Sequence, residues 1–272
     1  QAFSPVQLEP SWLSGNVTST GCGFAIEINA TAVGMKEFHQ KAVRYSIMMT
    51  VTSFIQVLLL VRQMEYTTSR NSATQMSLIC IAYQAVLDSY LCVFHITTGL
   101  VVDSVFSAFT TTAFFKFMIF SVFELRYILM IYKARNPRAF QDGWAAMRRE
   151  LSTFYTRFYG VLFLGVVIIF QLRGRPAILV ILLYSFWLPQ IVHNAMHGHR
   201  RPMLQRYIVG MSVTRLVFPL YVLACPFNFF HAAPSYPLAV LCAVWVTVQG
   251  TILALQQSRW GPRFFVPKRF LP

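Results

Sequence analysis

Five ionisable side chains, Asp88, Lys116, Glu124, Arg126 and Arg215, sit inside apolar runs of this chain. A charge at the centre of a bilayer costs ~2.5–3.5 kcal/mol on insertion scales, so it turns towards other protein and takes a partner. Asp88 and Lys116 lie at similar distances from the turn between their runs, and the matching depth predicts that they pair. Glu124 and Arg126 lie nearer the other end of Lys116's run, and a Glu124–Arg215 pair would join the two halves of the chain. Such groups serve either as ion pairs that fix helix order or as a polar path for a solute or proton. Gln56 and Gln190 add a donor and an acceptor each at membrane depth. Gln190 follows Pro189 within 184–202, an apolar stretch that ends in the basic turn His199-Arg200-Arg201-Pro202. Proline removes an i→i−4 hydrogen bond and crowds the preceding turn, so a kink or hinge is predicted at Pro189. In lipid the freed carbonyl must find its partner within a bundle.

Other chemistry is sparse. His193 and His197 are spaced i, i+4 and His199 follows, but no carboxylate is near them, so they read as interfacial and no metal site is expected. No Ser-His-Asp arrangement, HExxH or glycine-rich phosphate loop occurs, and no catalytic residue is assigned. The five cysteines are too scattered for a disulfide framework. Cys80, Cys92 and Cys242 read as small apolar packers, and Cys22 alone is placed to meet an oxidising lumen. Two N-glycosylation sequons begin at Asn16 and Asn29, both ahead of the first apolar run. The segment 21–31 alternates loosely and reads as a strand, the last of a larger lumenal domain.

The elements that must hold these groups are membrane helices. Of the 272 residues 56% are hydrophobic and only 12% charged, against roughly a quarter charged in soluble domains. Apolar runs fall near 43–61, 76–101, 105–132, 159–172, 177–195, 207–225 and 237–255, the fourth being short. The net charge of +14 comes from basic residues in the connections, which argues for membrane orientation and against nucleic acid. Fifteen Lys and Arg follow the odd-numbered runs, and only Arg173 and Arg175 follow the even ones. The N-terminus is therefore expected in the lumen and the C-terminus in the cytosol. The stretch around Trp144-Ala145-Ala146-Met147-Arg148-Arg149-Glu150-Leu151 reads as an amphipathic helix on an anionic leaflet or as a juxtamembrane start to the fourth span.

Ser53-Phe54-Ile55-Gln56-Val57 and Ser185-Phe186-Trp187-Leu188-Pro189-Gln190-Ile191 form a weak internal match, one gap apart. With the short fourth span as linker, the fold class is an all-α polytopic membrane protein, seven helices arranged three-one-three as a parallel repeat. The expected segments are a lumenal 1–42, a first bundle 43–132, a cytosolic loop 133–158, a linker helix 159–172, a second bundle 173–256 and a cytosolic tail 257–272. The chain begins on Gln1 with no signal-peptide pattern and stops on Pro272, so both ends read as cut.

Several stretches resemble the membrane region of RING-type transmembrane E3 ubiquitin ligases, the fungal Dsc-complex and plant flying-saucer ligases. They include Gln56-Val57-Leu58-Leu59-Leu60-Val61-Arg62-Gln63-Met64-Glu65, Ala113-Phe114-Phe115-Lys116-Phe117 and Met147-Arg148-Arg149-Glu150-Leu151. The Ser185–Ile191 match with Arg201-Pro202, then Thr214-Arg215-Leu216, Pro219-Leu220-Tyr221, Cys225-Pro226-Phe227-Asn228-Phe229 and Phe265-Val266-Pro267 complete the set. The resemblance implies a Golgi or endosomal membrane protein working with other ligase subunits. It also implies a zinc-binding RING after the last span that engages a ubiquitin-loaded E2. That RING is not in these 272 residues, so no cofactor is expected in this chain. The membrane part would read clients through Asp88, Lys116, Glu124, Gln190 and Arg215. A more distant likeness is to PQ-loop and SWEET-like transporters, with a small-solute carrier as the competing function. A RING-less structural subunit is a further alternative. A seven-helix receptor fits poorly, because Glu124-Leu125-Arg126-Tyr127 is not an adjacent acidic-Arg-Tyr triplet.

Overall fold

The computed structural model describes residues 12–18, 21, 23–31, 35–137, 144–258 and 261–264. Cys22, Arg138, Arg259, the 265–267 match, Lys268 and Arg269 lie outside them.

The chain is mostly helical but not all-α. Strand β1 (Trp12–Thr18) pairs antiparallel with β2 (Ala25–Thr31), in a register running from Trp12 opposite Thr31 to Thr18 opposite Ala25. Alternation in Ala25-Ile26-Glu27-Ile28-Asn29 sets one apolar and one polar face. Gly23, at φ +62°, takes the left-handed conformation in the connection. Asn16 and Asn29 stand exposed on the same face of this hairpin.

Helix α1 (Met35–Ser69) is followed by α2 (Leu78–Val101), whose N-cap Ser77 hydroxyl accepts from the Cys80 amide. Helix α3 (Phe106–Met118) passes without a break through a π-helical turn, Ile119–Glu124, into α4 (Leu125–Arg135). Helix α5 (Trp144–Leu172) is one element, so the amphipathic stretch continues into the fourth apolar run and that run is not short. Helices α6 (Pro176–Leu183) and α7 (Leu188–His197) meet at a 50° bend, and α8 (Gln205–Ala224) and α9 (Tyr236–Gln257) complete the bundle. Five of these helices are long and apolar enough to cross a membrane, and the bent α6–α7 pair is a sixth such segment.

Packing follows one rule twice. The α3–α4 run lies between α1 and α2, and α9 lies between α8 and the bent pair. The two groups then meet first-against-second, α1 on α8 and α2 on α7. Leu60, Ile81, Tyr127, Trp187, Tyr207 and Val246 belong to the main apolar core at this junction. A second cluster around Tyr45, Met49, Phe109 and Phe229 closes one end of the bundle, where the Tyr45 hydroxyl and His95 Nε2 lie 2.7 Å apart. Helix α5 stands aside, with most of its apolar side chains exposed, as lipid-facing residues are.

Candidate functional site

Four charges meet where the two groups dock. Lys116 Nζ on α3 is 2.9 Å from Asp88 Oδ1 on α2, and it also donates to Gln56 Oε1 on α1 at 2.7 Å. Arg215 Nη2 on α8 is 2.6 Å from Asp88 Oδ2 and 2.9 Å from Glu124 Oε1. The depth-matched Asp88–Lys116 pair and the Glu124–Arg215 pair are both present, and Asp88 bridges them into one chain, Lys116–Asp88–Arg215–Glu124. Two cations and two anions cancel, and each residue is at most 6% exposed. That neutrality is what lets charges stay at this depth.

The π-helical turn is what brings Glu124 into the cluster. Eight residues along an ideal α-helix turn about 800°, which would leave Glu124 about 80° off the face that carries Lys116. The extra residue in a π-turn takes back about 100° and returns the carboxylate to that face. Arg126, two residues on, consequently points away and is exposed, so it is not part of the cluster.

The Arg215 guanidinium also lies over the Phe186 ring, 5.5 Å from its centroid. Phe186 belongs to the break between α6 and α7. The bend lies ahead of Pro189 rather than at it: α6 stops at Leu183, and Pro189 occupies the first turn of α7, where a missing N–H costs nothing. The Ser185 carbonyl, four residues before the proline, accepts from the Leu188 amide at 3.1 Å. Gln249 on α9 takes over two of the other broken links. Its Oε1 accepts from the Trp187 amide at 3.2 Å, and its Nε2 donates to the Tyr184 carbonyl at 2.8 Å. The Cys80 thiol donates to the Phe186 carbonyl, and the Tyr83 hydroxyl to that of Leu182. Two neighbouring helices, α2 and α9, thus satisfy one interruption, as lipid requires.

Gln190 ties α7 to the start of α2. Its Oε1 accepts from the Ser77 amide at 2.7 Å, and its Nε2 donates to Asn194 Oδ1 at 2.7 Å and to the Gln75 carbonyl at 3.2 Å. Asn194 passes the ladder to Gln256 on α9. Gln63 on α1 plays a similar part, accepting from the Leu204 amide and reaching Tyr127, Thr67 and the Pro202 carbonyl. Sequence reasoning singled out Gln56 and Gln190 but passed over Gln63, Gln249 and Gln256. For Gln249 the signal was available, an uncharged amide interrupting an apolar run, whereas Gln63 and Gln256 fall just past the ends of theirs.

At the other end of α7, His193, His197 and His199 gather beside Arg135. Burial, with the nearby His197 and Arg135, holds the His199 imidazole below the usual histidine range. An apolar groove of about 400 Å³ runs between α2, α5 and α6, with Val86, Tyr90, Phe158 and Gly165 among its walls.

Paired helix triplets around a buried neutral charge cluster define a polytopic membrane scaffold. Residues 34–270 match the family described as Transmembrane E3 ligase/DUF2921 transmembrane domain, and the chain belongs to it. The chain is 45% identical over 251 residues to the transmembrane E3 ubiquitin-protein ligases FLY2 and FLY1 of Arabidopsis thaliana. Those alignments cover 92% of this chain and 45% and 44% of the two relatives. It is 25% identical to DSC E3 ubiquitin ligase complex subunit 1 of Schizosaccharomyces pombe, over 99% of this chain and 47% of that protein. The chain thus spans about half the length of the relatives it matches. No solved structure matches it.

Proposed function

We propose that this chain is the membrane domain of a transmembrane RING-type E3 ubiquitin ligase that selects membrane-protein clients in the Golgi or endosomes. In this reading the 106–135 run is a seventh span, the N-terminal hairpin is lumenal and glycosylated at Asn16 and Asn29, and the C-terminus is cytosolic. A RING beyond these residues carries the zinc and engages the E2, while other ligase subunits pack on the bundle. Family membership supports the ligase assignment. The observation that carries client selection is a pair of unused hydrogen-bonding atoms in the cluster. Glu124 Oε2 and Arg215 Nε are buried without a partner. An unpaired polar atom at this depth is costly, and a polar side chain on an unassembled client helix would satisfy it once the α6–α7 break yields. The cluster's resting role is to fix helix order, and the spare donor and acceptor are what a client reads.

The test is client ubiquitination by the full-length protein in cells, with Arg215→Ala and Gln190→Ala compared at matched protein level and location. Reduced ubiquitination of clients bearing polar residues in their spans, with RING-dependent autoubiquitination intact, is the expected result. Unchanged client ubiquitination sinks the reading.

The triplets meeting first-against-second favour a second reading, a SWEET-like carrier. Solute uptake into proteoliposomes, abolished by Gln190→Leu, would support it. The closed, mutually neutralised cluster speaks for the ligase.

A further inference from the structure

His193 and His197 lie one turn apart on one face of α7, with ring centroids 4.3 Å apart. The helix ends at Gly198, whose left-handed conformation (φ +72°, ψ 20°) reverses the chain. That reversal lays the His199 ring against the other two, at 5.4 Å from His193 and stacked on His197 at 5.6 Å. One nitrogen from each ring lies within 4.8 Å of the others. A tetrahedral zinc ion with bonds of about 2.05 Å asks for nitrogens about 3.3 Å apart, so the rings must rotate to close on an ion. His197 Nδ1 lies 3.1 Å from the His193 carbonyl and must donate to it, which leaves the Nε2 lone pair free. Metal-ligating histidines are held in this way by a hydrogen bond on the other ring nitrogen.

We propose that His193, His197 and His199 form a site for a divalent transition-metal ion of zinc type, with one coordination position left open. Three neutral imidazoles without a carboxylate favour zinc, copper or nickel over magnesium or calcium. Bound metal would pin the turn after α7 to the helix that carries Gln190. Arg135 opposes binding: its Nη2 donates to His193 Nε2 at 3.1 Å and to the Met76 carbonyl at 2.5 Å. It therefore competes for a lone pair and sets a positive charge beside the ion.

The test uses the full chain in nanodiscs, free of any histidine tag and stripped with a chelator. CoCl₂ is titrated by absorption, and ZnCl₂ by competition with a chromophoric chelator. One equivalent should bind, with a ligand-field band of a low-coordinate nitrogen site. His199→Ala, which lies outside the helix, should weaken binding at least about tenfold, as should His197→Ala. Arg135→Gln should tighten it, and the distant His39→Ala should leave it unchanged. Equal thermal melts without metal show that the variants fold. Absence of stoichiometric binding, or binding by His199→Ala equal to that of the wild type, overturns the proposal.

Discussion

Arg215 and Asp88, 127 residues apart in the chain, meet at 2.6 Å and close the contact between the two helix triplets. Asp88 is already matched by Lys116 within its own triplet, so its second oxygen is what reaches across. Arg215 in turn carries Glu124, so one guanidinium serves two carboxylates from different elements.

That sharing ranks the variants. Lys116→Met leaves Asp88 with Arg215, whereas Arg215→Met strands Glu124 with no cation. Removing one partner of a buried pair costs about 3–5 kcal/mol, so Arg215→Met should be the more destabilising of the two. Adding Glu124→Gln to Arg215→Met removes the stranded charge and should return about 1–3 kcal/mol. Thermal unfolding of the purified protein in one detergent checks the order. A double variant no more stable than Arg215→Met would show that Glu124 does not depend on that guanidinium.

Gln249 supports the α6–α7 break with both ends of its amide. Gln249→Leu keeps the volume and leaves the Trp187 amide and the Tyr184 carbonyl unpaired, each worth about 1–3 kcal/mol. A marked loss of stability is expected, against near-neutrality for Val248→Leu on the exposed side of the same helix. Protease accessibility around 184–187 should rise in the first variant only.

How far these features could be read in advance differed by their physical origin. The Asp88–Lys116 pair was legible from matching depth, and the Glu124–Arg215 pair because a charge in an apolar run needs an opposite charge within the bundle. The Asp88–Arg215 link was not, since it depends on how the triplets dock and no local pattern encodes that. The π-turn left no mark in composition, so Arg126 looked as inward as Glu124. Pro189 announced a disturbance but not its place, because proline fits the start of a helix as well as it breaks the middle of one. The histidine cluster was discounted for want of a carboxylate. Gly198 was the missed signal, as a glycine after the last helical residue marks the turn that brings His199 back.

Gly165 on α5 faces Tyr90 on α2, and a Cβ there would overlap the phenol oxygen. The Tyr90 hydroxyl donates to the Leu162 carbonyl at 2.6 Å, so this close approach is one of few ties holding α5 to the bundle. Gly165→Ala should push the helices apart and destabilise by about 1–3 kcal/mol, as overpacking does. Tyr90→Phe removes the clashing oxygen. The double variant should therefore be more stable than Gly165→Ala alone, a reversal that simple additivity does not produce. A double-mutant cycle in thermal stability measures it.

The hairpin offers the cleanest reading of orientation. Asn16 and Asn29 are both exposed, on adjacent strands and on one face, so neither sequon is sterically hidden. Glycosylation happens only on the lumenal side, and the excess of Lys and Arg after the odd-numbered runs argues that the hairpin lies there. Expressed in a eukaryotic secretory membrane, the chain should therefore carry glycan removable by endoglycosidase. Asn16→Gln and Asn29→Gln should each remove one step of gel mobility, and the double variant should match the enzyme-treated protein. A wild-type chain with no glycan, together with a protease-sensitive N-terminus on the cytosolic side of sealed vesicles, would reverse the orientation and with it the side on which His193, His197 and His199 face.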